Sequence, residues 1–279
     1  MKKNYTYTTE ENYPIDITTY GNIENENCII FVHGFKGFKD WGFGPYIGEY
    51  LSNKNFFVIT FNFSHNGVGK DSVDFDELDK FAENTYSKEI SELEEIIAAY
   101  KSGFFGKIDS DKKIGLLGHS RGGGVAIVTA SKNNNISAFV TWASIANFDR
   151  FSQRQKEDWK EKGYLEMLNS RTKQLMRMNK TFLDDLLENK SDTLNIEKAV
   201  RNLQIPYLLV HGEQDLAVSI KEAENIYYWS NKEKTELFKV KGTGHTFDIK
   251  HPFEGASKVL NKVLEKTSDF FDKNLNKIK

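Results

Sequence analysis

A single cysteine, Cys28, stands in 279 residues, so no internal disulfide forms and no Cys/His cluster at metal-ligand spacing exists. No metal or other cofactor is expected. No run of eighteen apolar residues occurs, which excludes a membrane-spanning helix. Met1-Lys2-Lys3 is followed by Asn4-Tyr5-Thr6-Tyr7-Thr8-Thr9-Glu10, which lacks the apolar stretch of a signal peptide, so a cytoplasmic location is expected. Charge of one sign is also missing: 38 basic residues against 40 acidic leave a net charge of −2. No whole-molecule field therefore draws the chain to nucleic acid or to an anionic membrane. Only 6 of the basic residues are Arg, but the Lys excess is spread evenly and carries no functional signal. What is present is 39% hydrophobic and 13% aromatic residues, proportions that exclude a disordered chain and supply a large core.

Apolar runs of strand length alternate with helical periodicity. Residues 28–32, 56–63, 114–117, 136–142 and 205–210 are continuously apolar and rich in β-branched or aromatic side chains, the pattern of strands buried on both faces. Between two of them, Ile90, Leu93, Ile96, Ile97 and Tyr100 share one helical face. Residues 14–20 and those before them suit antiparallel edge strands, and Pro252 suits the first turn of a last helix running toward Leu275. Strand and helix in alternation predict an α/β fold, a mostly parallel sheet with helices on both faces. The alternation breaks at 147–202, which shows no strand-like run. That stretch predicts a helical insertion, either packed on the sheet or capping a site, and divides the chain into a core (1–146 and 203–279) and a cap (147–202).

The chemistry-bearing motif is Gly118-His119-Ser120-Arg121-Gly122, placed where the strand ending at Leu117 meets a helix. A strand that turns at once into a helix forces the serine into a strained backbone conformation. Side chains two residues before and two after it would collide unless both are glycine. The turn lifts the Ser120 hydroxyl to the helix N-terminus, where free N–H groups favour developing negative charge. A hydroxyl also needs a base, and the base an orienting carboxylate. Both follow in order: His211-Gly212-Glu213-Gln214-Asp215 after one strand, and Gly244-His245 after the next. Ser120, Asp215 and His245 are thus the candidate catalytic residues, with Glu213 and Asp248 as competing acids.

An oxyanion needs two fixed donors. Arg121 N–H follows the nucleophile, and Phe35 N–H lies in the glycine-rich loop His33-Gly34-Phe35-Lys36-Gly37 after the first parallel strand. His33 is expected to brace that loop. His65 offers either a substrate contact or a loop brace, with the brace favoured. Trp142 suits either a pocket wall or the core. Three of the four methionines (Met167, Met176, Met178) fall in the cap, where flexible thioethers suit an adaptable apolar lid or, at least as well, the filling of a core.

Taken together, His33-Gly34-Phe35, Gly118-His119-Ser120-Arg121-Gly122-Gly123, His211-Gly212-Glu213-Gln214-Asp215 and Gly244-His245 resemble the α/β-hydrolase superfamily, in its order, over about residues 14–275. The set is similar to the dienelactone-hydrolase-like and cinnamoyl (feruloyl) esterase-like branch. That resemblance implies a cap inserted after the sixth strand and cofactor-free hydrolysis of small carboxylic esters through an acyl-enzyme. The partner expected is a small-molecule ester. Thioester, lactone or peptide cleavage on the same three residues is the alternative, and a non-catalytic binding protein on the same fold is a third reading.

Overall fold

A computed structural model describes residues 1–24, 26–70 and 74–276. The chain opens with an antiparallel pair, β1 (Lys2–Thr8) and β2 (Pro14–Tyr20), in which Lys2 lies opposite Tyr20. Then follow β3 (Asn27–Val32), α1 (Gly44–Ser52), β4 (Phe56–Phe61), α2 (Leu78–Ala82) and α3 (Tyr86–Lys101). The central crossover is β5 (Ile114–His119), α4 (Arg121–Lys132) and β6 (Ile136–Trp142). Next come α5 (Gln153–Lys162), β7 (Tyr164–Leu168), β8 (Leu175–Asn179), α6 (Lys180–Asn189) and α7 (Ile196–Asn202). The chain returns through β9 (Tyr207–Gly212), α8 (Ile220–Trp229), β10 (Thr235–Val240) and α9 (Lys258–Leu275).

Among the described residues, eight strands form one sheet in the order β1-β2-β4-β3-β5-β6-β9-β10, parallel from β4 onward. The antiparallel pair lies at one edge, with β2 paired to β4. Alternate residues of each central strand face opposite cores. Cys28, Ile30 and Val32 point to the side covered by α3, α4, α7 and α8, whereas Ile29 and Phe31 point to the side covered by α1 and α9. Both faces are buried, which explains why the strands read as continuous apolar runs rather than alternating ones. In α9, Leu260, Val263, Leu264 and Phe271 recur at helical spacing and are fully buried. Each such side chain stabilises the fold by about 1.5–3 kcal/mol relative to exposure.

Two sequence expectations are corrected. Pro252 does not open the last helix. That helix begins at Lys258 and is capped by Ser257, whose Oγ accepts the Leu260 N–H at 2.8 Å, while Pro252 sits in the preceding loop. Nor is 147–202 wholly helical: β7 and β8 form an antiparallel hairpin with Met167 opposite Met176. The alternation is visible afterwards, since Met176 and Met178 are buried while Leu175 and Arg177 are exposed. Each strand is only five residues long with one charged residue, Glu166 in β7 and Arg177 in β8, so period 2 is hard to tell from period 3.6.

Candidate functional site

The site lies at the carboxyl ends of the parallel strands. Ser120 occupies the turn between β5 and α4 with φ 56° and ψ −120°, a conformation costly for any residue with a side chain. Glycines make that turn possible. A Cβ on Gly118 would come within 2.6 Å of the Gly122 carbonyl oxygen, and one on Gly122 would overlap the carbonyl oxygens of Val32 and His33. Because those obstacles are backbone atoms of neighbouring elements, Gly122→Ala is expected to destabilise the fold by about 3 kcal/mol or more. A lowered midpoint in urea unfolding, or loss of soluble protein, would register it.

The return strands bring the other two groups to the serine. His245 Nε2 lies 2.9 Å from Ser120 Oγ, and its Nδ1 lies 2.7 Å from Asp215 Oδ2. A carboxylate only accepts, so Nδ1 carries the proton and Nε2 is left to accept from the Ser120 hydroxyl. Asp215 is buried, which by itself would raise its pKa. Hydrogen bonds from His211, from His245 and from the Val218 backbone overcome that and hold it well below the usual carboxylate range. Its Oδ1 accepts the N–H groups of Ala217 and Val218, both at 2.8 Å. The competing acids sit elsewhere: Asp248 accepts from Thr243 Oγ1 at 2.8 Å, and Glu213 is exposed.

Phe35, in the loop after β3, and Arg121, the first residue of α4, border the same cavity as Ser120. Among the described residues neither N–H has a protein acceptor. His33 braces the first segment, as its sequence context predicts. Its Nδ1 donates to the Gly34 carbonyl at 3.0 Å and its Nε2 accepts from Phe63 N–H at 3.2 Å. Burial pushes its pKa down to about 4, so the ring stays neutral and keeps one donor and one acceptor. Lys36 ties the same loop to the hairpin, its Nζ donating to the Leu168 carbonyl at 3.0 Å.

Two of the sequence candidates are not brought to the serine. Trp142 is fully buried and its indole points to α9, where Nε1 donates to Thr267 Oγ1 at 3.0 Å. What reaches the site is its backbone, because the Trp142 carbonyl accepts the Ser120 N–H at 2.8 Å. His65 is buried among Ser64, Lys88 and the edge of Tyr13, with Nδ1 2.6 Å from Ser64 Oγ, and braces its loop. Two other histidines matter more than the sequence suggests. His211 shares its Nε2–H between the Val218 carbonyl at 2.8 Å and Asp215 Oδ2 at 3.3 Å, and its position four residues before Asp215 is the signal that would have found it. His119 donates from Nε2 to the His245 carbonyl at 3.0 Å, and burial together with the nearby His245 lowers its pKa to about 3.

Two cavities open at Ser120 and His245. The larger, about 480 Å³, is walled by Phe35, Tyr86, Arg121, Met167, Met178 and Phe182. The smaller, about 120 Å³, lies under the Phe35 loop against Phe38, Trp41, Phe43 and His119. The two methionines of the larger wall come from the hairpin, which therefore borders the site. Among the described residues no three His, Cys, Asp or Glu side chains are grouped to hold a metal ion, and no helix is long and apolar enough to cross a membrane.

The fold is that of known α/β hydrolases. The α/β hydrolase GrgF from Penicillium sp. sh18 superposes with a TM-score of 0.77 at 15% identity, over 99% of this chain and 100% of that one. Est1E from Butyrivibrio proteoclasticus, solved with ferulic acid bound, gives 0.74 at 18% identity over 98% of this chain and 100% of that one. In sequence, an acyl transferase of Photobacterium phosphoreum is 26% identical over 231 residues, 80% of this chain and 69% of that protein. Residues 107–275, more than half of the chain and spanning β5 to the end of α9, match the family described as BAAT / Acyl-CoA thioester hydrolase C terminal, and the chain belongs to that family of α/β hydrolases.

Proposed function

We propose that the protein is a serine hydrolase that cleaves small carboxylic esters through an acyl-enzyme. The observation that carries this reading is the unbroken hydrogen-bonded chain from Ser120 Oγ through His245 to Asp215 Oδ2, at 2.9 and 2.7 Å. Ser120 Oγ attacks the ester carbonyl carbon while its proton passes to His245 Nε2. Asp215, held ionised, stabilises the imidazolium that results. The carbonyl oxygen becomes an oxyanion received by the N–H groups of Phe35 and Arg121. Collapse of the tetrahedral adduct expels the alcohol, which takes the proton from His245. Water, deprotonated by the same nitrogen, then attacks the acyl-enzyme, and the acid leaves with Ser120 restored.

A thioester is the second reading, favoured by one finding: the family is described by acyl-CoA thioester hydrolysis. The same steps apply, with a thiolate as leaving group that needs less protonation than an alkoxide. The apolar wall of Met167, Met178 and Phe182 suits the hydrocarbon part of either substrate.

A fluorophosphonate probe tests the reading directly. Wild type should be labelled and Ser120→Ala should not, with both proteins folded. Labelling that survives in Ser120→Ala places the activated nucleophile elsewhere. Absence of labelling and of p-nitrophenyl acetate turnover in folded wild type would replace the hydrolase reading with a binding role.

A further inference from the structure

The two oxyanion donors belong to segments far apart in sequence, and a side-chain stack joins them. The Arg121 guanidinium lies over the Phe35 ring, 4.4 Å from its centroid, and faces Tyr86 at 5.4 Å and Phe182 at 5.9 Å. The two residues proposed to supply the oxyanion donors are thus in contact through their side chains. Arg121 is buried and paired through Nη2 with the buried Glu89, whose Oε1 also accepts from Asn84 Nδ2 at 2.8 Å. The pairing offsets the charge of the guanidinium, and the bond from Nη2 to Glu89 together with the surrounding ring faces holds its place. A buried ion pair of this kind is a poor source of stability, since desolvation offsets most of its attraction. Its geometric effect is larger: it holds the Phe35 ring, and through the ring the loop that carries the Phe35 N–H.

We infer that the Arg121 side chain, held by Glu89 and stacked on Phe35, is a positioning element that fixes the separation of the two oxyanion donors. This rests on the hydrolase reading above. The arrangement acts on the transition state, because the donors must meet an oxygen whose position shifts as the carbonyl becomes tetrahedral. Phe35 and Arg121 also wall the larger cavity, but Tyr86, Met167, Met178 and Phe182 supply the rest of its surface, so ground-state binding there changes less than the transition state when the stack is broken.

The test is a double-mutant cycle of Phe35→Leu and Arg121→Lys, read with p-nitrophenyl butyrate and with phenylboronic acid, which forms a tetrahedral adduct on an activated serine. Phe35→Leu keeps the backbone donor and removes the ring. Arg121→Lys keeps the charge facing Glu89 and removes the planar fork. Each should lower kcat about tenfold or more while KM moves less than about threefold, a smaller loss than deleting a donor outright. The inhibition constant of phenylboronic acid should rise in parallel with the fall in kcat. The double variant should be no worse than the poorer single within about threefold, because both changes break one contact. Wild-type kcat in the folded single variants, or losses that multiply in the double, would overturn the inference and leave the hydrolase reading standing. If Arg121→Lys fails to give a cooperative thermal transition, Phe35→Leu decides alone by the same split between kcat and the boronate constant. A folded wild type inert toward the ester would sink the hydrolase reading and this inference with it.

Discussion

Replacing His245 with alanine is expected to lower kcat toward p-nitrophenyl butyrate by about 10⁵- to 10⁶-fold while the protein remains folded. The loss is large because in the proposed mechanism His245 acts twice, taking the Ser120 proton and returning it to the leaving group. The proposed donors, Phe35 and Arg121 N–H, are unaffected by the change, so some acceleration over water should survive. The fold should tolerate the change. His245 is partly exposed, and without it Asp215 keeps the N–H groups of Ala217 and Val218, the imidazole of His211, and its burial. No other histidine is placed to substitute. His119 is near, with ring centroids 4.8 Å apart, but its Nε2 proton is committed to the His245 carbonyl and its pKa lies near 3. His211 is engaged by the Val218 carbonyl and Asp215 Oδ2. Steady-state kinetics and a thermal melt of the variant check both halves of this expectation, and near-normal turnover would move the base to another residue.

How far this site was legible in the sequence depends on what each residue relies on. The turn at Ser120 is legible through the spacing of its motif: Gly118 is required by the backbone of Gly122 and Gly123 in the turn itself, while the carbonyls of Val32 and His33 on the neighbouring strand and loop add the requirement at Gly122. The order of acid and histidine followed from the rule that functional groups sit beyond the carboxyl ends of parallel strands. The central strands were legible for a similar reason, since burial on both faces leaves a continuous run of apolar residues. Residues whose roles depend on neighbours from remote segments were not legible. Glu89 sits on α3, and nothing near it in sequence signals a partner on α4. Trp142 looked as suited to a pocket as to the core, and the choice is made by Thr267, which is 125 residues away. The hairpin of β7 and β8 is not legible because five-residue strands with one charged residue each give too few repeats to fix a period.

The acid separates Asp215 from its rival most sharply, because two carboxylates compete for the role of orienting the histidine. Asp215→Asn is expected to lower kcat by about 10⁴-fold, and Asp248→Asn to leave it within about twofold. The asymmetry follows from the hydrogen bonds. With asparagine at position 215, the carbonyl oxygen must take the Oδ1 place, since that site receives the N–H groups of Ala217 and Val218. The amide NH₂ then occupies the Oδ2 place, where it meets His245 Nδ1 as a donor. His245 answers by moving its proton to Nε2, and a protonated Nε2 no longer accepts from Ser120. The same NH₂ faces the N–H of His211, so two donors are set against each other in a buried place. At position 248 none of this arises. The side chain accepts one bond from Thr243 Oγ1, which an asparagine oxygen accepts equally, and its φ of 64° is one that asparagine adopts readily. Measured side by side on the same ester, the two variants give opposite results for the two assignments. An active Asp215→Asn beside an inactive Asp248→Asn would transfer the orienting role to the loop after His245, and with it the tautomer argument on which the proton transfer depends.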